Sequence, residues 1–361
     1  MPSPRGAPGA RPVVAWGELA GPRIPLSVLD LSPVPSGSTS AQALRNTIEL
    51  AQVTERLGYV RYWLAEHHNS PGLASSAPEV MIAQVATATE RIRVGAGGIM
   101  LPNHAPLRVA ETFRVLEALH PGRIDLGIGR APGTDGVTAM ALRRSAPPGA
   151  DDFPSQLGEL LAYAGEGFPA GHPYESVRAV PADVPVPPIW ILGSSEYGAQ
   201  VAAALGVGFA FARHLNPRGA ENIMHAYREA FRPSPDLDRP TSILAVSAIA
   251  AETPERADEL ASSMGLGLIR LRSGRPSPLP SPEEAAAHDY SPGELDQLRR
   301  YRRAQVLGAA EGVRDEILDL AERTAADEVM VMTTVHDHAA RLRSYELLAG
   351  ALAAAETTPA R

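Results

Sequence analysis

The stretch Tyr59–Gly72, YVRYWLAEHHNSPG, places a short apolar run directly before a glutamate and two adjacent histidines. Residues 59–65 read as a strand buried on both faces. Glu66, His67 and His68 then stand at its end as a metal site, a general base or a plain loop. The rest of the chain has to choose among these.

Working outward, the same alternation of short apolar runs and amphipathic segments recurs. Strands are expected at 24–30, 59–65, 92–98, 123–129, 187–193, 207–212, 241–250 and 328–334. Helices are expected at 41–57, 78–90, 106–119, 196–205, 217–231, 254–271 and 336–352. Ser40 is the expected N-cap of the first, with Gly58 just past its end. Pro78 opens the second, a position that tolerates proline. Strands this apolar need helices on both sides, and eight of them in this order fit a closed (β/α)8 TIM barrel, an α/β fold. No GxGxxG turn follows the first strand, which argues against a dinucleotide-binding sheet. Residues 24–355 are read as this one domain. The Pro-, Gly- and Ala-rich residues 1–23 are read as a mobile arm or a mis-assigned start. Two segments break the rhythm: Ala131–Gly171, expected to be a lid over the site, and the proline-dense Ser273–Ser291 before the last strand, whose role is open. Residues 292–327 receive no assignment.

Composition narrows the chemistry. There is no cysteine, so disulfides, thiolate nucleophiles, iron–sulfur clusters and Cys-ligated zinc are excluded. All 33 basic residues are arginine, which excludes a Schiff-base lysine and a P-loop lysine. A net charge of -8 argues against nucleic acid or an anionic membrane as partner. No apolar run reaches the roughly 18 residues that span a bilayer. The cytoplasm is the default address.

In such a barrel, chemistry sits at the C-terminal ends of the strands. Those ends carry Asp30-Leu31-Ser32, Glu66-His67-His68, Gly97 to Asn103, Gly129 to Gly133, and Gly193-Ser194-Ser195. The Ser194-Ser195-Glu196-Tyr197-Gly198 turn opens a helix whose free N–H groups suit an anion, and Arg130 can pair with a phosphate. Each alone reads as a cap or a surface arginine; as neighbouring loops they read as a phosphate clamp. Gly97-Gly98 is a bend or a close approach to a flat ligand. Adjacent residues on an extended chain point to opposite sides, so His67 and His68 do not chelate one metal, and one of them is expected in the pocket. Ser32, Met100 and Asn103 are candidate pocket residues, and no metal site is expected. His104 is a pocket or capping residue. His336 and His338 are expected to be structural, Arg108 and Glu111 an i,i+3 pair, and Trp63 and Trp190 core.

Four motifs in this order, YWLAEHH, VGAGGIMLPNHAPLRVAE, LHPGRIDLGIGRAPG and WILGSSEYGAQVAAALGVGFAFA, resemble the bacterial luciferase-like family of flavin-dependent monooxygenases from about residue 24 onward. The resemblance implies a barrel that binds reduced FMN, or in some branches a deazaflavin, and reacts it with O2 through a C4a-peroxyflavin. It implies His67 as the catalytic residue and Arg130 on the flavin phosphate. Ser194, Ser195, Tyr197 and Gly198 supply donors, and a non-proline cis peptide falls at Gly97-Gly98. The reactive cysteine of the luciferase α chain is replaced here by Gly129. A homodimer through helices 78–90 and 106–119 is implied, and a separate NAD(P)H:flavin reductase as electron source. Taken with an arginine-for-lysine bias of the kind a GC-rich genome gives, the resemblance implies hydroxylation or epoxidation of an apolar secondary metabolite such as a polyketide, in antibiotic biosynthesis. A deazaflavin-dependent dehydrogenase and a non-catalytic flavin-binding protein are the alternatives.

Overall fold

The structure is a computed structural model that describes residues 24–143, 152–165 and 167–357. The expected N-terminal arm, residues 1–23, lies outside the described residues. The chain runs β1 (Leu26–Asp30), α1 (Ser40–Arg56), β2 (Arg61–Leu64), α2 (Pro78–Ala88), β3 (Arg93–Met100), α3 (Pro106–Leu119) and β4 (Ile124–Gly129). Next come α4 (Gly136–Leu142), α5 (Phe153–Ala164), β5 (Ile189–Gly193), α6 (Glu196–Leu205), β6 (Gly208–Ala212), α7 (Ala220–Ala230) and β7 (Ser242–Ala251). It ends with α8 (Pro254–Arg272), α9 (Pro282–Ala286), α10 (Pro292–Arg302), β8 (Gln305–Ala309), α11 (Ala310–Thr324), β9 (Glu328–Met332) and α12 (His338–Thr357).

β1 to β7 and β9 pair in parallel, in chain order, and β9 returns to β1, so eight strands close a TIM barrel. Side chains alternate across its wall. Tyr62 and Leu64 face the outer layer with Val28, Leu50, Ile82 and Phe113. Trp63 and Ala65 face inward with Leu29, Leu31, Trp190, Ala245, Met330 and Met332. At the N-terminal end the interior is charged. Arg61, fully buried, donates to Asp125 of β4 and to both carboxylate oxygens of Glu328 at 3.0 and 3.1 Å, and Ser27 donates to the same Glu328. Its guanidinium lies 5.5 Å from the Trp63 ring and 5.0 Å from the Trp190 ring. The Trp63 indole N–H reaches Asp125 at 3.1 Å, which is why Gly95 stands between them: a Cβ there would sit 2.8 Å from that nitrogen.

The sequence reading and the structure differ in definite places. Thr39, not Ser40, caps α1, its hydroxyl accepting from Gln42 N–H. A ninth strand, β8, lies along Ser247–Ala251, the half of β7 that runs on past its pairing with β9. At five residues ending in Gly308 and Ala309, β8 carries too weak an apolar signal to be read. It and α9 to α11 also make the last insertion a folded one. The helix expected at 217–231 begins at Ala220, after turns. Of the lid expected over Ala131–Gly171, residues 144–151 and 166 lie outside the described residues; Gly133 and Thr134 bond the backbone of His68, α4 buries no residue, and α5 belongs to the outer layer, burying Phe153, Leu157 and Leu160, and packs on α3. Ser273–Ser291 packs on the loops that follow β1 and β2. Leu279 exchanges backbone bonds of 2.8 Å with Val34 and Ser36, and Gly72 packs against Ser277.

Removing a buried charge partner strands the others. Arg61→Met is expected to cost about 3–5 kcal/mol in urea unfolding, more than Arg93→Met, which leaves Arg61 on Asp125. An equal or smaller loss at Arg61 would show that the charged layer does not hold the barrel.

Candidate active site

The expected strand-end residues gather at one mouth, and Glu66 organises them. It is fully buried at the end of β2, past the last β2–β3 pair, Leu64 with Ala96. Its carboxylate accepts from Met100 N–H at 2.8 Å, from His68 Nε2 at 2.8 Å, from His104 Nε2 at 2.9 and 3.0 Å, and from Asn103 Nδ2 at 3.4 Å. A buried carboxylate is costly unless its lone pairs are met, and these donors meet them. Burial pushes the Glu66 carboxyl up, but the His104 bond and charge, the His68 bond and the Met100 N–H hold it below its ordinary range. Burial works against charge on His104, yet the bond to Glu66, its charge and that of Glu79 lift His104 above the ordinary imidazole value.

His67 follows with its backbone N–H on Ser75 O at 2.9 Å. Its Nδ1 is buried and has no hydrogen-bond partner among the described residues. Burial lowers its pKa, the charge of Glu66 opposes this, and His68 adds to it; the net is below the ordinary value. His68 turns to Glu66 instead, so the two neighbouring rings have different tasks. From the end of β6, on the opposite side of the eight-stranded ring, His214 approaches closely enough to feel the charge of His67. Burial above all pushes it down to about 4.

The Gly97–Gly98 peptide is cis. A Cβ at Gly97 would stand 2.8 Å from Leu29 Cδ1, and one at Gly98 2.8 Å from Gly127 O, so neither position has room for a side chain. Met100 rests its sulfur over Gly129, and Asn103 gives its amide N–H to Pro132 O at 2.9 Å while its Oδ1 is buried without a partner among the described residues. Ser32 is fully buried with φ 47°, its N–H on Asp30 at 2.7 Å and its hydroxyl at 2.8 Å from Thr47, so it frames the first loop.

At the other end of the mouth, Ser195 is the extended N-cap residue of α6, but its side chain makes no capping bond. Ser194 O accepts from Asn216 of the β6 loop at 2.8 Å. The Arg130 guanidinium lies 4.8 Å over the Tyr197 ring. Gly198 is buried in the first turn of α6, with Phe209 at 3.4 Å from where its Cβ would stand. Helix N–H groups not answered by a side-chain cap, beside a stacked arginine, could hold an anionic group such as a phosphate. Trp63 and Trp190 are core, 5.7 Å apart and edge-on. His336 bonds Ser36, His338 bonds Glu49, and Arg108 lies 3.8 Å from Glu111. Among the described residues, no three His, Asp or Glu side chains are grouped to hold a metal ion, and no helix is long and apolar enough to cross a membrane.

The family model for luciferase-like monooxygenases matches residues 24–351. The chain belongs to that family. It is 43% identical over 324 residues to a luciferase-like monooxygenase of Escherichia coli K12, covering 90% of this chain and 96% of that one. It is 35% identical over 334 residues to the N-acetyl-S-alkylcysteine monooxygenase of Bacillus subtilis, covering 92% and 99%. The crystal structure of apo-MsnO8 superposes with a TM-score of 0.83 at 39% identity, over 94% of this chain and all of that one. A more distant relative, 26% identical over 302 residues (77% and 80%), is the oxygenase component of the flavin-dependent trigonelline monooxygenase of Acinetobacter baylyi. The protein is an oxidoreductase of the monooxygenase class.

Within this luciferase-like barrel, sequence reasoning passed over Glu66 as a working group and missed His214. The signal for His214 was its place two residues past the sixth strand, on the catalytic face. A neutral buried His214 binds its proton in the unfolded chain near the ordinary value and in the folded chain only near about 4. Stability from this group is therefore present above the ordinary value and lost as pH falls towards 4. The wild-type urea midpoint is expected to fall more steeply between about pH 6.5 and 4.5 than that of His214→Asn; parallel curves would show that His214 is not held neutral.

Proposed function

We propose that the protein is the oxygenase component of a two-component system, taking reduced FMN from a separate NAD(P)H:flavin reductase and using O2 to hydroxylate or epoxidise a small apolar substrate. One oxygen atom enters the substrate, the other leaves as water, and the flavin's two electrons balance the reaction. The observation that carries this is the pairing, on one barrel mouth, of a phosphate-sized anion site (Arg130, Tyr197 and the start of α6) with a neutral, buried imidazole at His67. The relative named as a flavin-dependent oxygenase component supports the flavin and the separate reductase. Bound reduced FMN supplies the electrons that activate O2.

The chain's own residues do the rest. Arg130 and the α6 N–H groups hold the phosphate, and Ser194 is kept in register by Asn216. The narrow Gly97–Gly98 wall admits a flat ring. Leu31, Ala65, Leu73 and Met332 give the interior below the mouth apolar walls, which limits water, and Leu279 of the Ser273–Ser291 segment pins the loop after β1. His67, uncharged near neutral pH, takes or returns a proton. An apolar secondary metabolite such as a polyketide suits these walls. Val80, Val115 and Leu119 stand exposed on α2 and α3, which supports a homodimer through those helices.

Two substitutions test the reading. His67→Ala is expected to keep FMN affinity while substrate turnover falls by about 10²–10⁴; normal turnover would remove the role. Arg130→Ala is expected to weaken reduced FMN binding about 10- to 100-fold, read by equilibrium titration with a deazaflavin alongside. Unchanged FMN affinity would overturn the phosphate assignment, and tighter binding of the deazaflavin by the wild type would overturn the choice of FMN.

A further inference from the structure

We infer that Glu66 and His104 form an ion pair that positions the mouth and sets the proton affinity of His67, so that His104 is a positioning residue acting through Glu66. The inference rests on the reading of His67 as the acid–base group.

The geometry comes first. One carboxylate ties together three pieces of chain that no ladder joins: the end of β2, the Met100 N–H at the end of β3, and the loop carrying Asn103 and His104. The β3–β4 register shifts between Ala96 and Ile99 and resumes at Ile99 with Ile128 and Met100 with Gly129, while on the other side the β2 ladder has already stopped at Leu64 with Ala96. Glu66 supplies the missing acceptor. His104 Nε2 lies within 3.0 Å of both carboxylate oxygens, the placement of a counter-charge centred on the group. His68 and Asn103 approach only Oε1.

The electrostatic consequence follows from sequence adjacency. Glu66 immediately precedes His67, and its negative charge favours the protonated form of that ring. How strongly it does so depends on whether His104 is charged. The groups that act on His104 are Glu66 from β2 and Glu79 from α2, both favouring its proton, with burial opposing. While His104 is an imidazolium, the pair is neutral overall and His67 feels little field. Once His104 loses its proton, the carboxylate's charge falls on His67 uncompensated. His68, whose charge disfavours the His67 proton, and His214 from the end of β6 also act on His67.

This gives two substitutions opposite signs. His104→Gln keeps an N–H donor to Glu66 but removes the charge, so the His67 pKa should rise. Glu66→Gln removes the charge that favours the imidazolium form of His67, so its pKa should fall. Each shift should be on the order of one pH unit. The readout is the His67 imidazole titration by NMR in the flavin-free protein, its resonance assigned by its loss in His67→Asn. Thermal midpoints and FMN affinity report that each variant is folded. If Glu66→Gln does not fold, the rise in His104→Gln decides alone. Opposite shifts support the pair. An unmoved His67, or shifts of the same sign, overturns it, because a purely structural tie would not separate the two variants by sign. The titration does not depend on turnover, so a failure here is distinct from a failure of His67→Ala to lose activity.

Discussion

The barrel depends on one buried guanidinium. Arg61 enters at the first residue of β2 and meets carboxylates from β4 and β9, strands that share no ladder with each other. A parallel barrel of eight short strands leaves a central volume that side chains must fill. At its N-terminal end this chain fills it with a charged cross-tie capped by two tryptophans. The arrangement stabilises only while every partner is present, since each of these ions alone in the interior would be costly. It therefore fixes the relative positions of β1, β2, β4 and β9 more strictly than an apolar plug of the same volume would.

That closed end explains the open one. Along β2 the inward positions run Arg61, Trp63 and Ala65, from large and charged to small, and His67 follows at the mouth. The inward side chains shrink towards the mouth, with Ala65 just past β2 and Ala245 on β7. Glu66, one position out of step with the inward row, is turned towards β3 and its loop. The alternation that lets Arg61 plug the barrel is the same alternation that sends Glu66 sideways and His67 to the mouth. A one-residue slip in β2 would lose both together.

The fold was legible because parallel strands buried on both faces are short, apolar and regularly spaced, and eight such runs in order leave few topologies. His67, the Gly97–Gly98 bend and the Arg130–Ser195 end were legible as types of residue at strand ends. Glu66 was not. A glutamate after an apolar run looks like the first polar residue of a loop, and only three-dimensional contact shows donors from four positions converging on it. His214 was hidden for a related reason: its meaning lies in meeting a strand on the opposite side of the ring, which no local pattern encodes. β8 escaped because five residues ending in Gly and Ala do not announce a strand, and its partner is an extension of β7 beyond the barrel.

The charges of the mouth are arranged in one direction. Arg130 and the start of α6 make one end positive, while at the chemical end Glu66 is neutralised by its own donors and both His67 and His214 are held neutral by burial. On the proposed reading, a ligand with an anionic tail and an uncharged reactive head would be oriented by this asymmetry. The neutral end has the further property that a proton taken by His67 changes its charge in a poorly solvated place, where each charge is felt strongly. The buried carboxylate one residue away is the group best placed to answer that change. Arg61 fixes where β2 begins and Glu66 fixes where it ends, so the His67 imidazole hangs between two satisfied ion clusters on a strand that has little freedom to move.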